Sequence, residues 1–230
     1  MDYDKIEIGT FIRRVNRFIA EVDIHGKMER VHVKNTGRLK ELLKEGATVS
    51  LEVSNNPNRK TKYSVVAVNR EGMWVNIDSQ APNIVVFDAI KSDQIKELLP
   101  LNIFDVKREV KFKNSRFDLS FQGKDTKGLM EVKGVTLKKN DTALFPDAPT
   151  ERGTKHVYEM IDAVADGYVG VLFFLIQMSG CRIFSANEMM DPSFAKALRE
   201  AKKIGVRILA YDSIVTEKGL TIGKSADVHI

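Results

Sequence analysis

Residues Arg116 to Lys133 read Arg-Phe-Asp-Leu-Ser-Phe-Gln-Gly-Lys-Asp-Thr-Lys-Gly-Leu-Met-Glu-Val-Lys, and this stretch decides the expected fold. Apolar and polar side chains alternate in its first part, which is the period of a half-buried strand. A turn containing Gly and Lys follows, and Leu129 to Lys133 reads as a second strand. Glu131 and Lys133 are two residues apart and so share a face of that strand. The stretch therefore predicts a hairpin that gathers Asp118, Glu131 and Lys133.

Two carboxylates and an ammonium group on the polar side of a sheet suit a metal-dependent phosphodiester hydrolase. The carboxylates of Asp118 and Glu131 would hold Mg²⁺ or Mn²⁺, which clamps the phosphate. A backbone carbonyl near Val132 and the carboxylate of Glu109, in the preceding strand, are further candidate ligands. Lys133 would orient or acidify the attacking water.

The spacing of an acid and a lysine two residues later is weak information, because this chain contains it five times. The pair of Glu131 and Lys133 differs from the others in its context. It combines strand alternation, a preceding strand with Asp118 on its polar face, and a following helix and buried strand. A solvated strand face is the alternative.

Composition excludes several classes of protein. The chain has 230 residues, of which 43% are hydrophobic and 29% charged, so it can form one large domain or two small ones. It has no apolar run of about 18 residues and no N-terminal basic and apolar segment, so we expect a cytoplasmic protein without a membrane partner. Its single cysteine, Cys181, rules out an internal disulfide and a Cys-rich zinc site, and a buried thiol is expected there.

The excess of positive charge lies in the first third of the chain. Residues 1–70 hold 14 Lys and Arg against 9 Asp and Glu, whereas residues 71–230 hold 22 of each. Such asymmetry points to an anionic partner for the basic part, most commonly nucleic acid. The alternative is that the extra charges serve solubility.

Residues 1–80 read as short strands separated by turns, with one short helix from Arg38 to Lys44, and predict a small Greek-key barrel of the OB type. Cations for phosphates and aromatic rings for bases are the usual means of binding a single strand. The candidate contacts in this domain are Arg13, Arg14, Arg17, Phe18, Arg38, Arg59, Lys60, Lys62 and Tyr63. Either aromatic ring could instead belong to the core. A saccharide-binding barrel is a further alternative, although the only Trp, Trp74, falls in an expected strand.

Residues 81–230 read as a second, α/β domain with a partly parallel sheet. The predicted helices cover Pro82 to Ile90, Gln94 to Leu99, a segment capped by Thr150 and ending near Ala165, and Phe194 to Ile204. Further predicted strands are Asp105 to Phe112, Val169 to Ile176, and Val206 to Tyr211. Gly134 to Thr150 reads as irregular, and residues 212–230 as a short edge element.

The helix capped by Thr150 carries a polar stripe. Arg152, Lys155, His156 and Glu159 fall at i, i+3, i+4 and i+7. A solvated charged face is the default explanation. Because the helix follows the Glu131 strand, Arg152 and Lys155 could instead meet phosphate, and His156 could bind phosphate or move a proton.

The order of helix, three strands, helix and strand, with Asp118 and Glu131-Val132-Lys133, resembles the core of the restriction-endonuclease-like superfamily. Phe117 stands where that pattern has its nominal Pro. Blocks along nearly the whole chain also resemble the sugar fermentation stimulation protein family: Arg14-Val-Asn-Arg17-Phe18, Asn35-Thr36-Gly37, Arg116-Phe-Asp118, Glu131-Val-Lys133, Phe145-Pro-Asp147-Ala, and Thr150-Glu-Arg152-Gly-x-Lys155-His156.

The resemblance implies an OB-like domain (1–80), a nuclease-like mixed-sheet domain (81–230) and DNA binding without strong sequence preference. The fold class expected is therefore α/β, or α+β overall. Two functions stay open. One is a DNA-binding protein with a metal-dependent phosphodiesterase site. The other is a non-enzymatic, sequence-nonspecific DNA-binding regulator of sugar metabolism that keeps the nuclease scaffold. The sequence leaves the oligomeric state open.

Overall fold

The computed structural model describes residues 1–113 and 115–230, and the N-terminal strands form a barrel. These strands are β1 (Ile6–Arg14), β2 (Ile19–Ile24), β3 (Lys27–Val33), β4 (Thr48–Val53), β5 (Tyr63–Arg70) and β6 (Met73–Asn76). Their order is β3-β2-β1-β4-β5-β6, and an additional parallel pairing of β3 with β5 closes β1 to β5 into a barrel. This is the OB arrangement that the sequence predicts.

The predicted short helix from Arg38 to Lys44 is wrong. The segment is an irregular turn in which Leu39 has a left-handed backbone, with φ of 49°. Leu39, Leu42 and Leu43 have helical spacing, and all three are buried. One turn is enough to place these leucines, and a turn this short has no intrinsic helical stability.

The barrel belongs to a compact unit that also takes in 177–179 and 213–221, which the sequence-based division at residue 80 assigned to the second domain. Buried polar bonds hold part of this addition. Gln177 is 2% exposed, and its amide donates to Asn76 Oδ1 at 2.7 Å and to the carbonyl of Asp78 at 3.1 Å. Tyr3 donates to Asp78 and accepts from Asn76. Pairing of each polar group makes this burial tolerable.

The other unit comprises 82–176, 180–212 and 222–230. Its helices are α1 (Ala81–Lys91), α2 (Glu151–Ala165) and α3 (Pro192–Ile204), with a 3-10 helix at Lys96–Leu101. Its strands are β7 (Asp105–Phe112), β8 (Ser115–Gln122), β9 (Lys127–Val135), β10 (Leu137–Lys139), β11 (Thr142–Phe145), β12 (Val169–Ile176), β13 (Ile183–Ala186), β14 (Arg207–Val215), β15 (Leu220–Ser225) and β16 (Asp227–His229).

The main sheet of this part has the order β15-β14-β12-β9-β8-β7. Strands β9, β12 and β14 are parallel, and β7, β8 and β9 are antiparallel. The predicted hairpin, the buried strand β12 and the Thr150-capped helix α2 are all confirmed. Mixed strand directions follow because short turns join β7, β8 and β9, whereas helices join β9 to β12 and β12 to β14.

Two sequence predictions for this unit were wrong. The segment 134–150, read as irregular, contains β10 and β11, which lie in a further sheet ordered β10-β11-β13-β16. These strands have three and four residues, and β11 pairs with β13 about forty positions later. Such short strands depend on distant partners and leave little local signal. The second predicted helix is the 3-10 turn, which continues through Pro100. Within 1–113 and 115–230, no helix is long and apolar enough to cross a membrane.

Gly170 of β12 allows α2 to lie close to the sheet. A Cβ atom there would sit 2.7 Å from Val164 Cγ2 and 3.0 Å from Met160 Sδ, both on α2. Such distances are too short for real Cβ contacts, so a larger residue would force the helix or its side chains to move. The packing of Met160 and Val164 against β12 therefore depends on a glycine of that strand.

Asp191 joins the starts of two helices. Its Oδ1 accepts from the amide of Phe194 at 2.9 Å and caps α3, while its Oδ2 accepts from the amide of Thr150 at 2.8 Å. Thr150 in turn caps α2 by accepting from Gly153. Asp191 is 8% exposed, so loss of either bond leaves a poorly solvated amide.

We expect Asp191→Ala to lower the free energy of unfolding by about 1–3 kcal/mol, because it removes a cap and a buried bond. Asp191→Asn, which keeps one acceptor oxygen, should cost less. Chemical denaturation of both variants checks this. Equal losses for the two variants would contradict a role for both oxygens.

Candidate metal and nucleic-acid sites

The hairpin of β8 and β9 brings Asp118 beside Glu131. Leu119 pairs with Met130, so the antiparallel register places Asp118 opposite Glu131 at the next position. The ladder changes character at this point, because the Asp118 side chain accepts the amide hydrogen of Val132 at 2.8 Å. The predicted meeting of the two carboxylates is thus a consequence of strand register.

Glu131 is 3% exposed, and its two oxygens have different surroundings. Oε1 accepts from Lys133 Nζ at 2.6 Å and bonds with Nδ1 of His156 on α2. Oε2 is buried and has no hydrogen-bond partner among the described residues. An unpartnered carboxylate oxygen inside a protein is costly, so this oxygen is suited to a ligand.

The surroundings shift the pKa values of the two carboxyl groups in opposite directions. Burial and the nearby charge of Glu131 raise the pKa of Asp118. Burial also acts to raise the pKa of Glu131, but the bond from His156 and the charge of Lys133 outweigh it and lower that pKa. The Coulombic effect of Glu131 on Asp118 requires the two groups to be close. A bound cation would reduce the repulsion between two buried negative charges that lie close together.

Asn83 is a member of the site that the sequence did not reveal. It lies in the first turn of α1, and its Nδ2 donates to Asp118 Oδ1 at 2.8 Å. Together with the Val132 amide it fixes both oxygens of Asp118. The only signal in the sequence is a polar residue directly after Pro82, in a helix with a broad apolar face.

Glu109 does not join these carboxylates. It is exposed, has a left-handed backbone with φ of 57°, and pairs with Arg116 Nε at 3.0 Å. Among residues 1–113 and 115–230, no group of three His, Cys, Asp or Glu is placed to hold a metal ion. The candidate ligands that remain are Asp118 and Glu131. Two carboxylates suit a cation such as Mg²⁺, which keeps several water ligands.

Helix α2 turns part of its polar stripe toward this site. The side chain of His156 is 12% exposed, and Arg152 Nε lies 3.5 Å from its Nε2. When Nδ1 carries the proton shared with Glu131, Nε2 is the acceptor of the ring, and Arg152 donates to it. Lys155 is exposed and lies 3.5 Å from Glu159.

Of the predicted nucleic-acid contacts near the β1–β2 turn, some are exposed and others are already bonded within the barrel. Arg17, Phe18 and Arg38 are exposed. Arg13 is paired with the buried Glu21 at 2.7 Å. The Arg14 guanidinium instead donates hydrogen bonds at 2.6 to 3.2 Å to five backbone carbonyls, those of Asn16, Arg17, Asn35, Gly37 and Arg38. Arg14 therefore ties two loops together and is not free for phosphate.

In the loop between β4 and β5, several of the predicted nucleic-acid contacts are bonded or buried within the barrel. Arg59 donates to Ser64 Oγ at 3.0 Å, while Lys60 is exposed. Tyr63 is 9% exposed, which places its ring in the core, the alternative left open above, and Lys62 lies over that ring at 5.1 Å. Trp74 lies in β6 and is half-buried.

The contact between Glu131 and His156 can be measured by a double-mutant cycle. Glu131→Gln, His156→Ala and the double variant should give a coupling free energy of about 1–3 kcal/mol, because the pair is buried. Chemical denaturation provides the measurement. The control pair is Lys196 and Glu200, exposed at 3.9 Å on α3, which should couple by less than about 0.5 kcal/mol. Coupling no larger than in this control would exclude the proposed geometry.

Comparison with known proteins agrees with this architecture. The family models described as "SfsA N-terminal OB domain" and "Sugar fermentation stimulation protein RE domain" match residues 12–77 and 80–219. A sugar fermentation stimulation protein homolog of Alkaliphilus oremlandii is 50% identical over 99% of this chain and 98% of its own. One from Ruminiclostridium cellulolyticum is 44% identical over the whole of both.

A solved structure extends the agreement to three dimensions. The SfsA protein of Pyrococcus furiosus, solved in complex with Ca²⁺, is 27% identical and superposes with a TM-score of 0.91 over 100% of this chain and 98% of that one. The resemblance noted from sequence motifs, the OB barrel and the following mixed-sheet domain are thereby confirmed. The chain belongs to the sugar fermentation stimulation protein family.

Proposed function

We propose that this chain binds DNA and hydrolyses its phosphodiester backbone at Asp118 and Glu131, using Mg²⁺ or Mn²⁺. The observation that carries the proposal is the buried, unpartnered Oε2 of Glu131 beside the second carboxylate. The relative from Pyrococcus furiosus was solved with Ca²⁺, a hard cation with the same preference for oxygen ligands. Asp118, Glu131 and a backbone carbonyl near Val132 would hold the cation.

A divalent cation held there would supply Lewis acidity and lower the pKa of a water molecule. Lys133 is anchored to Glu131 Oε1 at 2.6 Å, so its ammonium group is positioned to orient that water. His156 offers Nε2 as a proton acceptor, because Nδ1 bonds with Glu131. Arg152 and Lys155 lie on the same helix and would contact phosphate oxygens.

The distribution of charge and the barrel fold both support DNA as the proposed partner. The excess of five positive charges lies within residues 1–70, and counter-ion release from phosphates would give binding without sequence preference. In this proposal the domain 1–80 grips the strand and the domain 81–230 cleaves it. The second domain contains α1, β7, β8, β9, α2 and β12 in this order along the chain, which is the order of helices and strands in the nuclease-like core.

Cleavage of DNA in Mg²⁺ or Mn²⁺ should fall at least about 100-fold in Glu131→Ala and in Lys133→Ala, because each removes a group that acts on the cation or the water. Single- and double-stranded substrates are incubated with each variant and the products separated by size. Glu109→Ala removes an exposed acid on the same sheet and should keep full activity. Equal cleavage by all variants, or none, would exclude the catalytic role.

Cation binding supplies a second readout that does not depend on turnover. Isothermal titration with Mn²⁺ should show a site in the wild type that Asp118→Ala and Glu131→Ala lose. Asn83→Ala should weaken the site about 10- to 100-fold, because Asn83 orients a ligand without touching the cation. Unchanged affinity in all three variants would place the cation elsewhere.

A second candidate function is a DNA-binding regulator without cleavage. It is favoured by one observation, that Lys133 and His156 already bond with Oε1 of Glu131, as in a purely structural polar cluster. This candidate requires binding that is independent of the carboxylates.

We expect DNA affinity to fall steeply with salt, to weaken in Arg17→Ala and to survive Glu131→Ala under both candidates, because phosphate contacts belong to the barrel. Fluorescence anisotropy over a range of salt concentrations measures this. Loss of a phosphate contact should reduce the salt slope by about one. A slope unchanged in Arg17→Ala would remove Arg17 from the interface.

A further inference from the structure

Two adjoining pockets lie on the barrel at the β1–β2 turn, and they differ in chemistry. One, of about 360 Å³, is lined by cations that include Arg17, Arg38 and Lys40. The other, of about 260 Å³, is lined by Phe18, His32 and Gln80 and also by two cations that already have partners: Lys34 pairs with Glu52 and Asp78, and Arg59 donates to Ser64. Thr36 lines both pockets, so the two pockets are neighbours on the barrel.

We propose that the smaller pocket takes one unstacked base of a nucleic acid strand, while the cations of the larger pocket hold the phosphates beside it. The inference rests on the proposed DNA binding and goes beyond it by naming single-stranded or locally unpaired DNA as the form that is bound.

Phe18 supplies the stacking surface. It is 50% exposed and lies in the turn between β1 and β2. Its backbone is nevertheless held in place: its amide donates to Asn16 Oδ1 at 2.8 Å, and its carbonyl accepts from Val33 at 2.8 Å. A ring held in water on a fixed backbone is prepared for a flat partner, and base stacking on aromatic rings is the common form of strand binding.

His32 supplies a polar edge. Its Nδ1 is buried and has no partner among the described residues. Burial and then the charges of Arg59 and Lys34 lower the pKa of His32, so the ring is neutral and offers one donor and one acceptor. The side chain of Gln80 is exposed and adds an amide. A base edge carries the same mixture of donors and acceptors, whereas a phosphate carries acceptors alone.

The size and the charges favour a base over a sugar chain. A volume of about 260 Å³ is below the range of about 300–1,000 Å³ usual for drug-sized ligands. Arg17, Arg38 and Lys40 have no carboxylate partner among the described residues, unlike Arg13 with Glu21. Free cations beside the ring suit the phosphates that flank a base and have no role with a neutral saccharide.

Arg14 acts here as a positioning residue. Its bonds to five carbonyls join the turn that carries Arg17 and Phe18 to the loop 35–38. Asn35 continues this tie by donating to the carbonyl of Ile77 at 3.0 Å and accepting from Gly37 at 2.7 Å. Both pocket walls are therefore preformed, and a strand would meet them without ordering a loop.

The test compares a labelled single strand with the same strand containing abasic sites, in a chelator so that no cleavage occurs. Abasic strands keep every phosphate and lose the stacking partner. By anisotropy, we expect the wild type to prefer the normal strand by about tenfold or more, and Phe18→Ala to lose that preference. Phe18→Tyr should restore it. Met28→Ala, an exposed apolar residue of the same barrel outside both pockets, should behave as the wild type.

The outcomes separate this inference from the proposed function. Salt-sensitive binding with no difference between normal and abasic strands would overturn the base pocket and leave DNA binding intact. No binding to any DNA would overturn both. Competition by a nucleoside monophosphate at strand-like concentrations would show that the pocket takes free nucleotides, and binding of a neutral oligosaccharide in place of DNA would show a saccharide site. Either result would also overturn the inference.

Discussion

The burial of the Glu131 carboxylate is the constraint on which the second unit is organised. An ionised carboxylate removed from water costs several kcal/mol unless it is paired and hydrogen-bonded. Lys133 pairs with it from the same strand, because residues two apart share a face, and His156 reaches it from α2. His156 stands in the helix that Thr150 caps, and Gly170 of β12 leaves room for the Met160 and Val164 side chains of that helix. A local strand pattern and a capped helix thus serve one charged group.

The barrel contains a partly buried cation whose partners are backbone carbonyls. The Arg14 guanidinium is partly buried, which lowers its pKa, and the charge of Arg17 adds to that effect. Backbone carbonyls of two loops accept all its bonds, so the guanidinium joins the two segments. The neighbouring Arg17 is left in solvent. Two arginines three positions apart therefore differ in role: Arg14 is structural, and Arg17 is available to a ligand.

The sequence predicted the features that depend on local pattern. Alternation from Phe117 to Phe121, the apolar run of β12 and the cap at Thr150 each follow from a few neighbouring residues. Features that depend on distant contacts were missed. Asn83 reaches Asp118 across 35 positions, and β11 needs β13. Glu109 was a further possible ligand in the preceding strand, but it is exposed and pairs with Arg116, and no pattern of residue types predicts its left-handed φ angle.

Buried polar atoms without partners become informative when their neighbours are considered. Glu159 Oε2 is orphaned as Glu131 Oε2 is, yet Glu159 sits among donors, bonding Ser115 and lying near Lys155. Nothing near it calls for a cation. Glu131 instead faces a second carboxylate whose pKa is raised, so additional positive charge would be favoured there. His32 Nδ1 is orphaned on the wall of a pocket, next to an exposed ring. The same defect therefore supports the proposal of a cation in one place and of a neutral, flat ligand in the other.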